Sequence, residues 1–230
     1  MMDLSIEEVP YVSDVTELLY RLQVAEFKQH FKRLREYKGI MIWITALTQC
    51  PRKWRYMLKY PEIQMTEFKG AFVLGKISHY GLQYILESYC HLLGYDKVER
   101  EVPIEKKVAL KDGREVLLTG RVDAVAYRGD HKTIYEIKTA RSDIGIPHEH
   151  HILQLQIYMN LLGVDQGILL YVTPDRVAEF TYNEPLLDEK LEEMIAEFLD
   201  HDGPRYEWEC AYCAFSMLCP SKKVKKQQNK

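Results

Sequence analysis

The sequence predicts an α/β fold, with one core of strands and helices and a small cysteine-bound cap. Apolar residues recur at three- and four-residue steps in several segments, which is typical of helices. The period changes to that of strands in the middle of the chain. A cluster of cysteines near the C-terminus predicts the cap. Since neither an internal repeat nor a low-complexity linker interrupts this pattern, a single core is expected.

Five helices are expected from the apolar period and from residues that start or stop helices. Ser13 or Asp14 caps the first helix. Pro61 ends the second, which carries Cys50, and Gly94 ends the third. The expected helices cover residues 13–37, 45–59, 70–93, 150–162 and 188–199.

Five strands are expected between turn signals. Asp112-Gly113 is typical of a hairpin turn, and Arg128-Gly129-Asp130 forms the next turn. The first three strands are therefore expected to form an antiparallel meander. The expected strands cover residues 98–109, 115–127, 133–139, 167–173 and 177–182.

The composition is ordinary for a globular protein, with 47% hydrophobic residues among 230 and a formal net charge of −3. This charge is only weak evidence against nucleic acid, because a local groove of Lys and Arg is enough to hold phosphates. No apolar window predicts a membrane span, and the N-terminus lacks the pattern of a secretory signal. We therefore expect a cytoplasmic protein with reduced cysteines, which favours metal binding over disulfides.

The densest chemistry lies on two neighbouring predicted strands. Asp123 is on one strand, and Glu136 and Lys138 lie two residues apart on the next, so these two side chains share a face. Two carboxylates supply the oxygen ligands that Mg²⁺ and Mn²⁺ prefer, and such a cation would activate water and neutralise phosphate charge. Lys138 could then stabilise the attack as a point charge. The alternative is a solvated strand of alternating charges, the commoner explanation of an isolated Glu-x-Lys.

Further candidates lie on predicted helices. Gln154 and Tyr158 are four residues apart and share a helix face, from which they could bind a phosphate and pack on a sugar or base. Alone, the pair would indicate a polar helix edge. His79 alone would more often be a packed or surface histidine. As a metal ligand, its imidazole would favour Mn²⁺ over Mg²⁺.

The order of these residues resembles that of RecB-type nucleases of the PD-(D/E)xK superfamily, over residues 70–172. The resemblance implies a restriction-endonuclease-like core with a central mixed sheet flanked by helices. The metal ligands that it implies are His79, Asp123, Glu136 and the main-chain carbonyl of Ile137. The catalytic residues that it implies are Lys138, Asp123 and Glu136. The DNA contacts that it implies are Gln154 and Tyr158.

The cysteines form a second constellation, with C-x2-C-x5-C near the C-terminus and Cys50 far upstream. Spacing alone allows either zinc, the default for four cysteines, or an iron–sulfur cluster. The order of these features is similar to that of the iron–sulfur nucleases, with one early cysteine, then a nuclease core, then three late cysteines. These nucleases include the CRISPR-associated RecB-like exonucleases. That resemblance implies a [4Fe–4S] cluster held by Cys50, Cys210, Cys213 and Cys219. Cys90, beside Tyr89, is expected to be a small core residue.

Other polar clusters have two explanations each. Basic and aromatic residues interleave from Arg52 to Tyr56, which suits single-stranded DNA and an amphipathic helix equally. His148 to His151 are expected to cap and solvate a helix rather than to bind a metal. A lysine tail could attract phosphates, although a solubilising end is more common. Its members are Lys222, Lys223, Lys225 and Lys226.

The resemblance implies a stand-alone exonuclease that cleaves single-stranded DNA 5′ to 3′ during CRISPR spacer acquisition. It implies CRISPR integration proteins as partners, and a homo-oligomer is compatible with it. The alternatives are a repair or recombination nuclease outside CRISPR, a non-cleaving DNA-binding assembly subunit and a zinc-bound structural protein. The expected divisions are an N-terminal helical region with one cluster cysteine (1–69), a nuclease core (70–202) and an iron–sulfur segment with a basic tail (203–230).

Overall fold

The computed structural model of the chain describes residues 11–223, so Lys225 and Lys226 of the predicted basic tail lie outside the described residues. Its α-helices are α1 (Val15–Glu36), α2 (Ile44–Leu47), α3 (Pro51–Lys59), α4 (Pro61–Met65), α5 (Gly70–Ser88), α6 (Glu149–Leu162), α7 (Asp188–Asp200) and α8 (Glu209–Tyr212), with a 3-10 helix at Cys90–Leu93. Its strands are β1 (Ile40–Trp43), β2 (Lys97–Ala109), β3 (Glu115–Arg128), β4 (His131–Thr139), β5 (Gln166–Val172) and β6 (Val177–Tyr182).

The described chain divides into two compact units. One contains residues 11–38, 49–68 and 196–223, and the other contains residues 39–48 and 69–195. Between residues 11 and 223, no helix is long and apolar enough to span a bilayer.

In the first unit, α1 begins where the capping residue predicts. The Asp14 carboxylate accepts a hydrogen bond from the backbone N–H of Glu17 at 2.8 Å. The single helix predicted for residues 45–59 is wrong, because α2 ends at Leu47 and α3 starts at Pro51. Proline suits the first position of a helix and disfavours helical backbone in the residue before it. Cys50 therefore lies at the N-terminal cap of α3, not within a helix.

Two arginines of α3 contact the C-terminal end of α7 and the chain that follows it. Arg52 pairs with the Asp202 carboxylate, and Arg55 donates to the backbone carbonyls of Leu199 and His201. Trp54 between them is buried. This basic and aromatic segment is thus engaged in contacts within its own unit, which favours the amphipathic-helix explanation of its pattern.

The second unit is built on a six-stranded sheet, which is mixed as the resemblance implied but has one strand more than the five expected. The path of hydrogen-bonded strands is β1-β3-β4-β5-β6, and β2 pairs with β3 beside that path. The meander of β2, β3 and β4 is antiparallel, as expected, whereas β1 with β3 and β4 with β5 run parallel. Strand β1 was not predicted. It has four residues, too few to show a period.

Helices α5 and α6 cover opposite faces of this sheet. Ile168 of β5 packs with Leu86 of α5 in one apolar cluster. The preceding Gly167 lies so close to Leu155 and Met159 of α6 that a side chain there would overlap them. Because successive strand residues point to opposite faces, the two helices must lie on opposite sides.

The outer surface of α5 differs from an ordinary amphipathic helix. Several of its large apolar residues are exposed, namely Phe72, Leu74, Ile77, Tyr80, Tyr84 and Ile85. Only Gln83 and Leu86 are buried. The helix predicted for residues 70–93 is too long, because α5 ends at Ser88 and a 3-10 helix follows it. Gly94 ends that 3-10 helix in the left-handed conformation, with φ of 75°.

Candidate active site

The candidate site lies in a gap along one side of β3. Strand β1 pairs with β3 from Val116 to Thr119, and β4 pairs with it from Ala124 onwards. The four residues between, Gly120 to Asp123, have no strand partner on that side, while β2 continues along the other. Strands β3 and β4 therefore diverge at Asp123 and Glu136, the step after their last pair. This opening lets His79 of α5 reach Asp123 from one face of the sheet and Gln154 of α6 reach Glu136 from the other.

Asp123 takes over the hydrogen bonding where the two strands separate. Its Oδ2 accepts from the backbone N–H of Ile137 at 2.7 Å, a group that a continuing ladder would have used. Its Oδ1 lies 3.2 Å from Nδ1 of His79, which reaches it from α5. The structure thus brings together the histidine and the aspartate that the sequence placed 44 residues apart.

Glu136 is the more buried of the two carboxylates of the site, with 3% of its surface exposed. Its Oε1 accepts from Lys138 Nζ and from Gln154 Nε2, both at 2.7 Å. Gln154 also accepts from Lys138 Nζ through its own Oε1, at 3.0 Å. The amide therefore bridges the carboxylate and the ammonium. Glu136, Lys138 and Gln154 form one network; the strand spacing predicted that Glu136 and Lys138 share a face, but the link to Gln154 was not predicted.

Tyr158 closes the base of the gap and is 1% exposed. Its hydroxyl contacts Gln154 Nε2 at 3.3 Å and is hydrogen-bonded by the backbone of Arg121. A β-carbon on Gly120 would lie only 3.0 Å from a ring carbon of Tyr158. Gly120 therefore leaves the room that the Tyr158 ring occupies, a packing role that was not predicted. A glycine inside a strand is the signal that could have indicated a close approach.

Burial places Gln154 and Tyr158 inside the site. Gln154 is 4% exposed, and the polar atoms of both residues contact other groups of the site. Their contact with DNA stays a prediction. The same holds for the Ile137 carbonyl as a metal ligand.

The charges of the site shift its pKa values in a consistent way. Burial and the charge of Asp123 raise the pKa of Glu136 to about 7, against the opposing effect of Lys138. Burial opposes the charged form of His79, but the hydrogen bond and charge of Asp123 outweigh it and raise the pKa of His79. Burial therefore favours the neutral form of Glu136, whereas Asp123 favours the charged form of His79.

One buried carboxylate oxygen indicates that the site binds a ligand. Glu136 Oε2 is buried and, among the described residues, has no hydrogen-bond partner. Such an atom is rare in a folded protein and calls for a ligand. A hard divalent cation fits, because it binds carboxylate oxygens and its charge favours their ionised forms. Within residues 11–223 the side chains form no group of three or more His, Cys, Asp or Glu in metal-binding geometry, so the fit rests on this orphaned oxygen and the donor set.

The predicted cluster cysteines lie in the first unit. Cys50 donates its backbone N–H to Glu209 Oε1 at 2.7 Å, and its Sγ lies 3.4 Å from the carbonyl of Gly203. Cys210 is on α8, and Cys213 directly follows that helix. All five cysteines of the chain are free thiols.

The four thiols are close enough to influence one another's charge. Burial raises the pKa of Cys213, and the neighbouring Cys219 and Cys210 raise it further. Burial likewise raises the pKa of Cys50, to which Cys213 contributes. The donor set fits a thiolate-bound metal group chemically, although the described cysteines do not stand in metal-binding geometry. The cap as a metal site stays a prediction.

The histidines at the start of α6 are packed, which corrects the expectation that they only cap and solvate the helix. The rings of His150 and His151 have centroids 4.0 Å apart, and His151 Nδ1 lies 2.6 Å from the Tyr171 hydroxyl. His148 makes no side-chain cap hydrogen bond. Burial lowers the pKa of His151 to about 2 and that of His150 to about 4.

Comparisons with known proteins agree with this architecture. A sequence model of the PD-(D/E)XK nuclease superfamily matches residues 81–220, which include Asp123, Glu136 and Lys138 but begin just after His79. The chain therefore belongs to this superfamily, and the predicted fold class is confirmed.

Closer relatives narrow the family. The CRISPR-associated exonuclease Cas4 of Saccharolobus solfataricus is 38% identical over 212 residues, covering 90% of this chain and 98% of that protein. The crystal structure of SSO0001 matches with a TM-score of 0.81 and 34% identity, covering 93% of this chain and 100% of that one. The chain thus belongs to the Cas4 family within the superfamily, and the predicted resemblance to CRISPR-associated exonucleases is confirmed.

Proposed function

We propose that this chain is a metal-dependent deoxyribonuclease that degrades single-stranded DNA from its 5′ end during CRISPR spacer acquisition. The observation that carries the proposal is the buried, unpartnered Oε2 of Glu136 beside Asp123, His79 and Lys138. The CRISPR setting is supported by the relative, which is a CRISPR-associated exonuclease. Single-strand preference and 5′ polarity are finer steps of the same proposal, supported by the family resemblance.

Mn²⁺ or Mg²⁺ would be held by Asp123, Glu136 and His79, with the Ile137 carbonyl as a further ligand. PD-(D/E)XK nucleases use divalent metals. When bound, the cation supplies positive charge to the scissile phosphate and lowers the pKa of water. The imidazole of His79 favours Mn²⁺, since imidazole is a better ligand for manganese than for magnesium.

The residues of the chain prepare the site for that chemistry. Lys138 is held by Glu136 and Gln154 at 2.7 and 3.0 Å, so its ammonium has a defined position for stabilising charge on the phosphate. Asp123 is kept in place by the backbone N–H of Ile137. Tyr158 and Gln154, which are also proposed to contact DNA, hold the base of the gap. Because these partners are in place beforehand, little reorganisation is needed at the moment of reaction.

Four cysteines, Cys50, Cys210, Cys213 and Cys219, are proposed to hold a [4Fe–4S] cluster in the first unit. Their mutual influence on thiol pKa places them near one another, and four thiolates suit such a cluster. Zinc is the other metal that four thiolates take. Iron and sulfide analysis together with visible absorption decides between them, because zinc gives no visible absorption.

The experiment is cleavage of single-stranded DNA labelled at either end, with Mn²⁺ and anaerobically purified protein. The unmodified chain, Asp123→Ala and the control Asp130→Ala are compared. Asp130 is an exposed aspartate in the turn between β3 and β4. We expect cleavage by the unmodified chain and by Asp130→Ala, none by Asp123→Ala, and early release of the 5′ label.

Other outcomes would revise the proposal at defined points. Early loss of the 3′ label would reverse the polarity, and internal cuts would indicate an endonuclease. If the cluster-loaded chain binds DNA but never cuts it, the nuclease proposal fails and a non-cleaving assembly subunit takes its place.

A further inference from the structure

Glu101 in the middle of β2 has a backbone conformation that strands do not use. Its φ is 54°, and no other non-glycine residue among residues 11–223 has a positive φ. Glutamate gains nothing intrinsic from the left-handed region. Such a conformation persists only where neighbouring contacts enforce it, and residues of this kind cluster at functional sites.

Two side-chain contacts account for the conformation of Glu101. One carboxylate oxygen accepts from Gln83 Nε2, and the other lies 2.5 Å from Arg121 Nε. Gln83 is 1% exposed, so its amide needs this acceptor. The Glu101 side chain therefore links α5 to β3.

Both partners belong to elements that carry the candidate metal ligands. Gln83 is one helical turn after His79 on α5, and Arg121 is two residues before Asp123 on β3. Glu101 itself stands opposite Asp123, between the pairs Arg100↔Ala124 and Val102↔Val122. The arginine thus lies at the gap where β3 lacks a strand partner, with its side chain 34% exposed.

A phosphate near two carboxylates is stabilised by positive charge in addition to that of Lys138 and the proposed cation. An arginine is suited to this, because its planar guanidinium binds two phosphate oxygens at once and stays charged at every working pH. We propose that Arg121 binds a backbone phosphate of the DNA next to the scissile one, and that Glu101 is the positioning residue that holds its guanidinium toward the gap. This inference rests on the proposed nuclease function and names part of its substrate contact.

The chain offers a matched control in Arg114. It also pairs with a carboxylate, that of Asp112 at 2.6 Å, and its side chain is 31% exposed. It stands before β3 begins, nine residues from Asp123, which is roughly 30 Å along an extended strand. Both substitutions to glutamine remove one positive charge, so only position distinguishes them.

The test is binding of a fluorescein-labelled single-stranded 20-mer, followed by anisotropy over a range of salt with Ca²⁺ present. We expect Arg121→Gln to weaken binding about tenfold at low salt and to reduce the slope of log Kd against log salt by about 0.7, the value for one phosphate contact. Arg114→Gln should change neither. Arg121→Lys should recover the slope but not the full affinity, because lysine contacts phosphate only as a point charge.

Glu101→Gln separates positioning from a purely structural role. Glutamine keeps an acceptor for Gln83 but gives up the charge that holds Arg121. We expect weaker DNA binding at a nearly unchanged melting temperature. Binding that is unchanged in Glu101→Gln would remove its positioning role, and Arg121→Gln binding like Arg114→Gln would overturn the whole inference. Cleavage by the unmodified chain is measured alongside, so that failure of the nuclease function is recognised separately.

Discussion

The carboxylate site of the second unit and the cysteine segment of the first are organised in different ways. Around Glu136 the hydrogen bonds are complete apart from one buried oxygen, and they join groups from β3, β4 and α6. Around the cysteines, burial raises the pKa of the Cys50 and Cys213 thiols, and few hydrogen bonds reach sulfur. The first site is prepared before a metal binds, whereas the second would gain its order from the metal group.

The largest expected effect follows from removing a cysteine. Cys213→Ser should prevent cluster assembly, so the long loop from Cys50 to Cys210 is no longer closed. Closing that loop stabilises the fold by roughly 5 kcal/mol, because it restricts the unfolded chain. The melting temperature of the first unit should fall by about 10 °C or more, while the β-sheet signal of the second unit persists.

Circular dichroism, visible absorption and calorimetry check this prediction. Cys90→Ala is the control, because Cys90 packs beside an apolar cluster of the second unit. Unchanged melting and unchanged absorption in Cys213→Ser would show that the cysteines do not hold a structural metal group.

Removing Lys138 should affect rate and leave the fold intact. Lys138→Met is expected to lower the cleavage rate by about 10²–10³-fold, because a charge aimed at the reacting phosphate is lost from a nearly closed site. Lys132→Met, an exposed lysine on the same strand, is the control. Single-turnover rates measure the effect, and comparable rates for the two variants would exclude a catalytic role for Lys138.

Substituting Gln154 distinguishes its role in the hydrogen-bond network from a direct contact with DNA. Gln154→Ala should lower kcat about tenfold to a hundredfold with little change in KM, since Glu136 and Lys138 lose the amide that bridges them. Gln156→Ala, whose amide donates to the carbonyl of Glu184, serves as the comparison. A rise in KM alone would instead indicate that Gln154 contacts DNA directly.

Acid should destabilise the second unit through the packed histidines. The pKa of His151 is about 2 in the fold and 6.5 as its ordinary value. Between these values the unfolded chain binds more protons, so stability is complete above about pH 6.5 and declines as the pH falls. The decline is at most about 1.4 kcal/mol per pH unit for this group.

Urea unfolding from pH 7 to pH 4 measures this slope. In His151→Gln, which keeps a polar group for Tyr171, the slope should be shallower. An equally steep slope in the variant would assign the acid sensitivity to other groups.

The sequence predicted the features of the candidate site that depend on local periodicity and on turns. Alternation along a strand put Glu136 and Lys138 on one face, and the turn at Arg128-Gly129-Asp130 predicted the antiparallel pairing that brings Asp123 beside them. The ends of most strands and helices lie within one or two residues of those expected.

Features that depend on distant segments could not be predicted. The gap beside β3 exists because β1 and β4 use different stretches of that strand, and β1 is only four residues long. The left-handed backbone of Glu101 and the orphaned oxygen of Glu136 follow from packing, not from residue type. Nor does an apolar period reveal that Ile77 and Tyr84 of α5 are exposed.

Binding of Mn²⁺ to the cluster-loaded chain tests the prepared carboxylate site most directly. Titration followed by electron paramagnetic resonance, with the unmodified chain and Glu136→Gln, measures free and bound metal without any DNA. We expect about one Mn²⁺ per chain in the gap beside β3, and at least about tenfold weaker binding in Glu136→Gln, because the variant replaces a charged oxygen ligand with a neutral amide. Equal affinity and stoichiometry in the two proteins would contradict a metal site at Glu136.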